Sequence, residues 1–295
     1  MRYIKLFEEV DFGRDLSTRE KKILRDIIGD YLDSFEIKVD DGYYQTSLGD
    51  YENNFDGFNE LKDYLSLRYY FRTREIDKLL DIYRSTTIDP SFDECWLIRC
   101  ACESNQLELV KIFLNDKRMN SDLGDCIHLA SVNGHEEIVK LLLKDPKLHF
   151  DDVISTLKLV VRKNHMGVFK ILMESDKVFN SDHIDVAFIE ACIYGRLEAI
   201  KLLLVNKNKN KTSDTTWYNV GFGKACVSGH IEIVKYLLKD KELDPSFQKN
   251  EAIRNVYNNL SVANGKWEII ELLLSDPRVI EKLTPEQKIL YKAID

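Results

Sequence analysis

Histidine and cysteine side chains are the groups in this sequence that could act as metal ligands, general bases or nucleophiles. Four of the six histidines recur at fixed positions along the chain, as His128, His135, His165 and His230. A side chain that recurs at a regular spacing most simply makes the same structural hydrogen bond at each position. His149 and His183 have no Cys or carboxylate at ligand spacing. The histidines are therefore predicted to support the fold rather than a reaction.

Three further patterns stop short of a recognised site. Cys100-x-Cys102 lacks the C-x-x-C spacing and the second pair that a structural zinc ion needs. The segment 221–224, Gly-Phe-Gly-Lys, lacks the full G-x-x-x-x-G-K-[ST] spacing of a phosphate-binding loop. The sequence also has no G-x-S-x-G nucleophile elbow. We therefore expect no catalytic residues, no metal site and no cofactor.

The elements that hold these residues come from one unit that repeats along the chain. In the segment 129–143, LASVNGHEEIVKLLL, Gly134 ends a short first helix, and a second helix with a wide apolar face follows. Copies of this unit place a break residue every 29 to 36 residues, at Asn105, Gly134, Asn164, Gly195, Gly229 and Gly265. Two helices per unit with this period predict a solenoid, because stacked units bury apolar faces that no single unit can cover.

The unit resembles the ankyrin repeat, whose core reads T-P-L-H-x-A-A-x-x-G-H-x-x-I-V-x-x-L-L. The stretch 125–135, DCIHLASVNGH, keeps the His, the small pair and the Gly-His of that core, although Asp125-Cys126 replaces Thr-Pro. The resemblance covers roughly residues 85–280 and implies an all-α ankyrin-repeat solenoid of about six to seven helix-pair units with a non-repeat N-terminal cap. The divergent style is similar to ankyrin arrays of large DNA viruses and some protists.

Three regions are predicted along the chain. Residues 1–57 do not repeat: STRE at 17–20 is a capping box for a helix, DDG at 40–42 is a turn that can close a small hairpin, and an acidic loop follows. Residues 58–280 form the repeat array, which opens with a degenerate unit whose break residue is Arg74. A separate small domain is the alternative for the start of the chain. Residues 281–295 form a C-terminal capping helix.

Two features are predicted near the end of the array. An insertion at 255–259 should lengthen a first helix by about a turn. Thr284 caps the last helix, Pro285 suits its first position, and Gln287 completes a capping box. The residues expected to close the stack are Ile289, Leu290 and Ala293.

The composition favours a folded protein that binds neither nucleic acid nor membranes. Of 295 residues, 44% are hydrophobic, and the formal net charge is −8, whereas phosphate contacts need a basic surface. No apolar run reaches the roughly 18–20 residues of a membrane span, and the N-terminus lacks a signal-peptide pattern. Cys102, Cys192 and Cys226 share one repeat position, where a thiol is a compact core filler. A reducing, cytoplasmic location is predicted, in the host cytoplasm if the source is viral.

The array is expected to bind a protein partner, since catalysis needs groups held around a cleft and a solenoid offers an elongated surface. In proteins that this chain resembles, partners meet the inter-repeat fingers and the exposed positions before each break, on the concave side. These partner-binding candidates are Glu103, Ser104, Asn133, Arg162, Lys163, Tyr194, Ser228 and Asn264. Trp217 and Tyr218 are added as aromatic anchors on a flexible finger that includes the polar, basic segment 205–212. Packing under that segment is the alternative for Trp217, and no small-molecule substrate is expected.

Three functional hypotheses remain open. The leading one is an intracellular, non-catalytic interaction module or scaffold, which would bind a host protein if the source is viral; a structural component of a larger complex, viral if that resemblance holds, is an alternative to it. The second is the substrate-recognition adaptor of a ubiquitin-ligase complex, although neither end carries a convincing recruiting motif such as an F-box. The third places an enzymatic activity in residues 1–57, which would need a polar cleft there.

Overall fold

A computed structural model describes most of the chain from residue 58 onward. The described residues are 58–88, 90, 92–119, 122–175, 181–207, 215–259 and 266–292, with Thr18, Lys22, Ile23, Asp26, Val39–Asp40 and Tyr43–Tyr44 nearer the N-terminus. The four single residues are helical, in agreement with the helix predicted after the capping box at 17–20. The predicted acidic loop lies outside the described residues.

The predicted N-terminal hairpin is present as two short antiparallel strands. β1 (Val39–Asp40) pairs with β2 (Tyr43–Tyr44), so that Val39 lies opposite Tyr44 and Asp40 lies opposite Tyr43. This register agrees with the turn signal that the sequence carries between the two strands.

From residue 58 onward the regular structure of the described residues is helical, with sixteen helices that begin as seven successive pairs. The helices are α1 (Phe58–Thr73), α2 (Ile76–Ser85), α3 (Phe92–Glu103), α4 (Leu107–Leu114), α5 (Gly124–Val132), α6 (Glu136–Leu143), α7 (Val153–Lys163), α8 (Met166–Met173), α9 (Ser181–Ile193), α10 (Leu197–Lys207), α11 (Thr216–Ser228), α12 (Ile231–Leu237), α13 (Phe247–Asn258), α14 (Lys266–Ser275), α15 (Pro277–Ile280) and α16 (Pro285–Lys292).

The chain divides into two compact units, Met1–Leu97 with Asp116–Asn120, and Ile98–Asn115 with Ser121–Asp295. In the first unit α1 packs on α2, and Tyr69, Leu79 and Tyr83 are buried there. In the second unit the first helices α5, α7, α9, α11 and α13 pack in succession. The second helices α4, α6, α8 and α10 do the same, and α12 packs on α14. The second unit is therefore the all-α stack of helix pairs that the repeat period predicts.

Each described break residue predicted from the sequence has a positive φ, which ends the first helix and redirects the chain. The angles are 60° at Asn105, 79° at Gly134, 64° at Asn164, 71° at Gly195 and 81° at Gly229. Arg74 has a φ of 62°, which confirms it as the break residue between α1 and α2. Gly265 lies outside the described residues. Glycine adopts this left-handed conformation without steric cost, and Asn tolerates it better than most residues.

The first helices approach one another through small side chains. The alanine-cysteine pairs that end three of these helices are fully buried, at Ala101-Cys102, Ala191-Cys192 and Ala225-Cys226. A small residue at this position lets the next first helix pack close to it, and a thiol fills the space without a polar requirement. The prediction that Cys102, Cys192 and Cys226 are core residues is confirmed.

A repeated Asp-x-Arg clamp ties loops of successive helix pairs together in each unit. In the second unit, Arg278 donates to Asp276 at 2.6 Å and reaches back to the carbonyl oxygens of Leu238, Asp240 and Leu243. In the first unit Asp116 and Arg118 repeat the arrangement against the loop after α2. One guanidinium thereby satisfies several loop carbonyls that helix ends leave without partners.

The last helix is capped as predicted but packs through a different residue. The backbone N–H of Thr284 donates to Gln287 Oε1 at 3.1 Å, and the N–H of Gln287 donates to Thr284 Oγ1 at 3.2 Å. The expectation that Ile289 and Leu290 close the stack is wrong, because their side chains are 71% and 47% exposed. The buried residue of α16 is Tyr291, whose ring lies 5.0 Å from that of Tyr257. Ala293 lies outside the described residues.

Candidate protein-docking surface

The partner-binding candidates share one location at or just after the C-terminal ends of the first helices. We call the described ones the docking row: Glu103, Ser104, Asn133, Arg162, Lys163, Tyr194 and Ser228. Asn133 is half-buried and the others are exposed. Asn264 lies outside the described residues. The Ser104 hydroxyl and the Asn133 amide each donate to a backbone carbonyl four residues earlier, so these two side chains partly cap their own helices.

After the breaks at Gly134, Asn164 and Gly229, the residue that follows holds the backbone under the docking row. His135 Nε2 donates to the carbonyl oxygen of Glu103 at 2.8 Å, and His230 Nε2 donates to that of Ile193 at 2.8 Å. His165 bonds the carbonyl of Val132 in the same manner, and its pKa is lowered by burial and by nearby Lys163. Helix ends leave carbonyls unsatisfied, and these donors satisfy them from the next unit. The structural role predicted for His135, His165 and His230 is confirmed.

Arginine takes the place of histidine in one unit. Arg196 follows the break at Gly195, and its Nη2 donates to the carbonyl oxygen of Arg162 at 2.6 Å while its Nε donates to that of Val161 at 3.2 Å. The fourth recurring histidine, His128, lies 2.6 Å from Thr156 Oγ1 through Nδ1. Because the Thr156 hydroxyl donates to the carbonyl of Asp152, His128 must be the donor in that bond. His128 is therefore also structural.

The glycine breaks allow the histidine rings to come close to the backbone. A methyl group added at Gly134 would lie 2.7 Å from His165 Nδ1, and one added at Gly195 would lie 2.8 Å from His230 Nδ1. Both distances are far below van der Waals contact. Glycine at these breaks therefore has two effects: it adopts the positive φ without steric cost, and it leaves space for the histidine ring that bonds the backbone.

Two residues of the docking row meet near its middle, where they form a fixed cluster with a buried carboxylate. Arg162 Nη2 donates to Glu190 Oε1 at 2.9 Å, and its Nε lies 3.3 Å from the same oxygen. The Arg162 guanidinium carbon lies 4.9 Å from the centre of the Tyr194 ring. The Glu190 side chain is 10% exposed, whereas that of Arg162 is 48% exposed. Glu190, followed by Tyr194, raises the pKa of Arg162, so the cluster holds a permanent cation at the surface.

Trp217 and Tyr218 are not exposed anchors, and that prediction is wrong. They lie in the first turns of α11 rather than on a finger, with exposed fractions of 6% and 0%. Both rings pack on Phe188 of the preceding first helix, and the Tyr218 hydroxyl donates to Asp240 Oδ2 at 2.7 Å. Burial and Asp240 raise the pKa of Tyr218. The alternative prediction, that Trp217 packs under the segment 205–212, agrees with the burial of its side chain. The start of that segment belongs to α10, which extends through Lys207, and residues 208–214 lie outside the described residues.

A groove of about 490 Å³ lies between α11 and α13 in the second unit. Its walls carry amide, basic and acidic side chains above an apolar floor, among them Asn219, Lys224, Glu251, Asn255 and Phe222. A Cβ at Gly223, which lines this groove, would meet no described atom within 4 Å beyond its chain neighbours and the backbone of its own helix turns. The groove has the volume of a typical binding pocket, and its charged groups are of both signs.

Titratable groups of the described residues are dispersed rather than gathered. Those residues contain no group of three or more His, Cys, Asp or Glu side chains placed to hold a metal ion. All six cysteines are free thiols. A hydrogen bond to Cys102 and burial raise the pKa of Cys126, while burial raises that of Cys192 and of Cys226. These thiols are poor nucleophiles, because the thiolate is the reactive form.

Glu190 and Arg196, which position the middle of the docking row, were not among the candidate residues predicted from the sequence. Glu190 is a carboxylate inside a helix whose neighbouring positions are apolar and small, and it follows Arg162 by 28 residues, close to one repeat period. That combination is a usable signal for an ion pair between adjacent units. Arg196 occupies the position that histidine occupies in three other units, which marks it for the same structural bond.

Helix pairs joined by left-handed breaks, with a donor after four of the breaks bonded to the preceding unit, define a helical repeat protein. Residues 76–154 and 127–215 match the family model for ankyrin repeats in three copies. This part of the chain therefore carries ankyrin repeats, which are generally protein–protein interaction modules and typically non-catalytic. No curated protein matches the chain. None of the described helices is long and apolar enough to cross a membrane.

Proposed function

We propose that this chain is a non-catalytic binding module that docks a protein partner across the docking row. The observation that carries the proposal is the exposed pair of Arg162 and Tyr194, which come from different repeat units and are held in one fixed arrangement by Glu190. Arginine and tyrosine are enriched among the residues that dominate binding energy at protein interfaces. A side chain that is already ordered loses less conformational entropy on binding.

The backbone beneath the docking row supports the same conclusion. Each of Glu103, Arg162 and Ile193 has its carbonyl bonded by a side chain of the following unit. The exposed side chains therefore start from a rigid support, which is the condition for an interface with defined geometry. The family's general use as a protein-interaction module points in the same direction.

Site-directed photo-crosslinking on the full chain tests this proposal. A photoreactive phenylalanine analogue replaces Tyr194 in one variant and Lys111 in a matched variant, where Lys111 is an exposed residue of the second helix α4. Both variants are exposed to an extract of the cells that produce the chain, and adducts are identified by mass spectrometry. A discrete protein adduct from position 194 that is absent from position 111 is expected. Equal adducts from both positions, or none from position 194, would overturn the proposal.

A further inference from the structure

The docking row carries an uneven distribution of charge. Its middle holds Arg162 and Lys163, with Arg196 beside them, whereas the row begins at Glu103 and its other described members are neutral. Glu190 and the negative end of α7, worth about half a charge, offset part of the three cations and leave a local excess of about +1.5. The chain as a whole has a formal net charge of −8. The middle of the docking row is therefore a basic spot on an acidic protein.

Arg162 presents one edge of its guanidinium in a fixed orientation. Its Nε and Nη2 both point to a single oxygen, Oε1 of Glu190, and its plane lies against the Tyr194 ring. The Arg162 side chain is 48% exposed, so its guanidinium is open to a partner although Glu190 and Tyr194 both interact with it. The planar guanidinium fork matches carboxylate geometry and forms charge-assisted bonds that are stronger than neutral ones. An acceptor bearing negative charge can therefore bind the exposed side of the guanidinium while the bonds to Glu190 stay in place.

Two further cations beside Arg162 also favour a negatively charged partner. Lys163 is exposed, and no described carboxylate lies within salt-bridge distance of its ammonium group. Arg196 adds a guanidinium at the carboxyl end of α7, where it bonds the Arg162 carbonyl. Charges within about 10 Å act together at ordinary ionic strength. A short segment with two or three carboxylates would therefore meet all three cations at once.

The size of the basic spot favours a protein segment over nucleic acid. Duplex DNA carries a charge about every 1.7 Å, so it would extend past three cations onto a surface with an overall negative charge. A peptide places its carboxylates locally and can set an apolar or aromatic side chain against Tyr194. Resting on the proposed docking function, we propose that the partner binds the docking row through an acidic segment whose Asp or Glu carboxylates engage Arg162 and Lys163.

Selection from a display library of random peptides on the full chain tests this inference. Recovered peptides are expected to contain Asp and Glu at about twice the library frequency, and to bind about tenfold more weakly when Arg162→Gln and Lys163→Gln are combined. In Arg162→Gln the glutamine amide can still donate to Glu190. Lys163→Gln is also tested alone, because it removes a charge without removing any described bond. Lys111→Gln removes the same single charge as Lys163→Gln, but outside the docking row, and should leave binding unchanged.

The outcomes separate the inference from the function on which it rests. Peptides that lose binding in Tyr194→Ala but show no acidic enrichment, or whose binding is unaffected by added salt, would overturn the acidic-segment inference and leave the docking function standing. If no recovered peptide responds to any substitution in the docking row, both proposals fall. Circular dichroism melting of each variant confirms that the compared chains are folded.

Discussion

Gly195→Ala tests whether a left-handed break and the histidine beside it hold neighbouring repeats together. Gly195 has a φ of 71°, and an added methyl group would lie 2.8 Å from both Cε1 and Nδ1 of His230. A left-handed conformation costs a residue with a Cβ about 1–2 kcal/mol. Displacement of the His230 ring would also remove its bond to the Ile193 carbonyl, which contributes about 1 kcal/mol. The free energy of unfolding should fall by about 2–3 kcal/mol in total.

Gly223→Ala is the matched control, because it makes the same chemical change in α11, the first helix of the next pair. Gly223 lies inside α11, and an added methyl group would meet no described atom within 4 Å beyond its chain neighbours and the backbone of its own helix turns. Alanine is preferred to glycine in a helix interior by about 0.5–1 kcal/mol, so this substitution should stabilise the chain. Urea unfolding followed by far-ultraviolet circular dichroism measures both changes, and the slope with urea shows whether the array still unfolds as one unit.

The opposite signs of the two effects make the comparison decisive. If Gly195→Ala leaves the unfolding free energy unchanged, neither the backbone angle nor the histidine contact supports the junction between units. If Gly223→Ala destabilises as much as Gly195→Ala, the cost belongs to any added methyl group in this region and not to the break. Either result would show that the left-handed breaks and the histidine bonds beside them do not hold neighbouring units together.

Three further predictions concern buried polar groups. Tyr218→Phe should destabilise the chain by about 2 kcal/mol in the same urea assay, because Asp240 loses the hydroxyl that donates to it. The bond from Arg278 lowers the pKa of Asp276, so the stability that this carboxylate supplies is present above its ordinary pKa near 4 and is lost as the pH falls further. Unfolding measured against pH should therefore decline less steeply below about pH 4 in Asp276→Asn than in the parent chain. Iodoacetamide should modify Cys226 only after denaturant is added, and modification of the folded chain, read by mass spectrometry, would contradict its burial.

The repeat period and the break residues were predictable because they depend on local backbone chemistry. Glycine or asparagine at a helix end has the same conformational preference wherever the unit sits in the array. The repeat period, counted back 31 residues from Asn105, even identified Arg74, a residue with no special preference for the left-handed region. The capping box at Thr284 and Gln287 is equally local, and it formed as expected.

The burial of Trp217 and Tyr218 was not predicted, because the polar segment that precedes them led us to place both residues on a flexible finger and not in a helix. Counting back eight residues from Cys226 places Tyr218 in register with Ile184, which lies eight residues before Cys192 and is also buried. That comparison would have placed Tyr218 in the core. Ile289 and Leu290 fail for a different reason: the packing of α16 buries Tyr291 against Tyr257 and leaves its two apolar neighbours exposed.

The spacing of Arg162 and Glu190 could have indicated their ion pair, but the full cluster depends on how far one first helix is displaced along the next. Both Arg162 and Tyr194 were candidates, yet only the packing of α7 on α9 brings Glu190 beneath the guanidinium. The bonds from Arg196 to the carbonyl oxygens of Val161 and Arg162 join the same two units and use no atom of an exposed side chain in the docking row. Substitutions at Lys163 or Ser228 should therefore leave stability within about 0.5 kcal/mol of the parent chain. A surface that can change without weakening its support is free to be shaped to a partner.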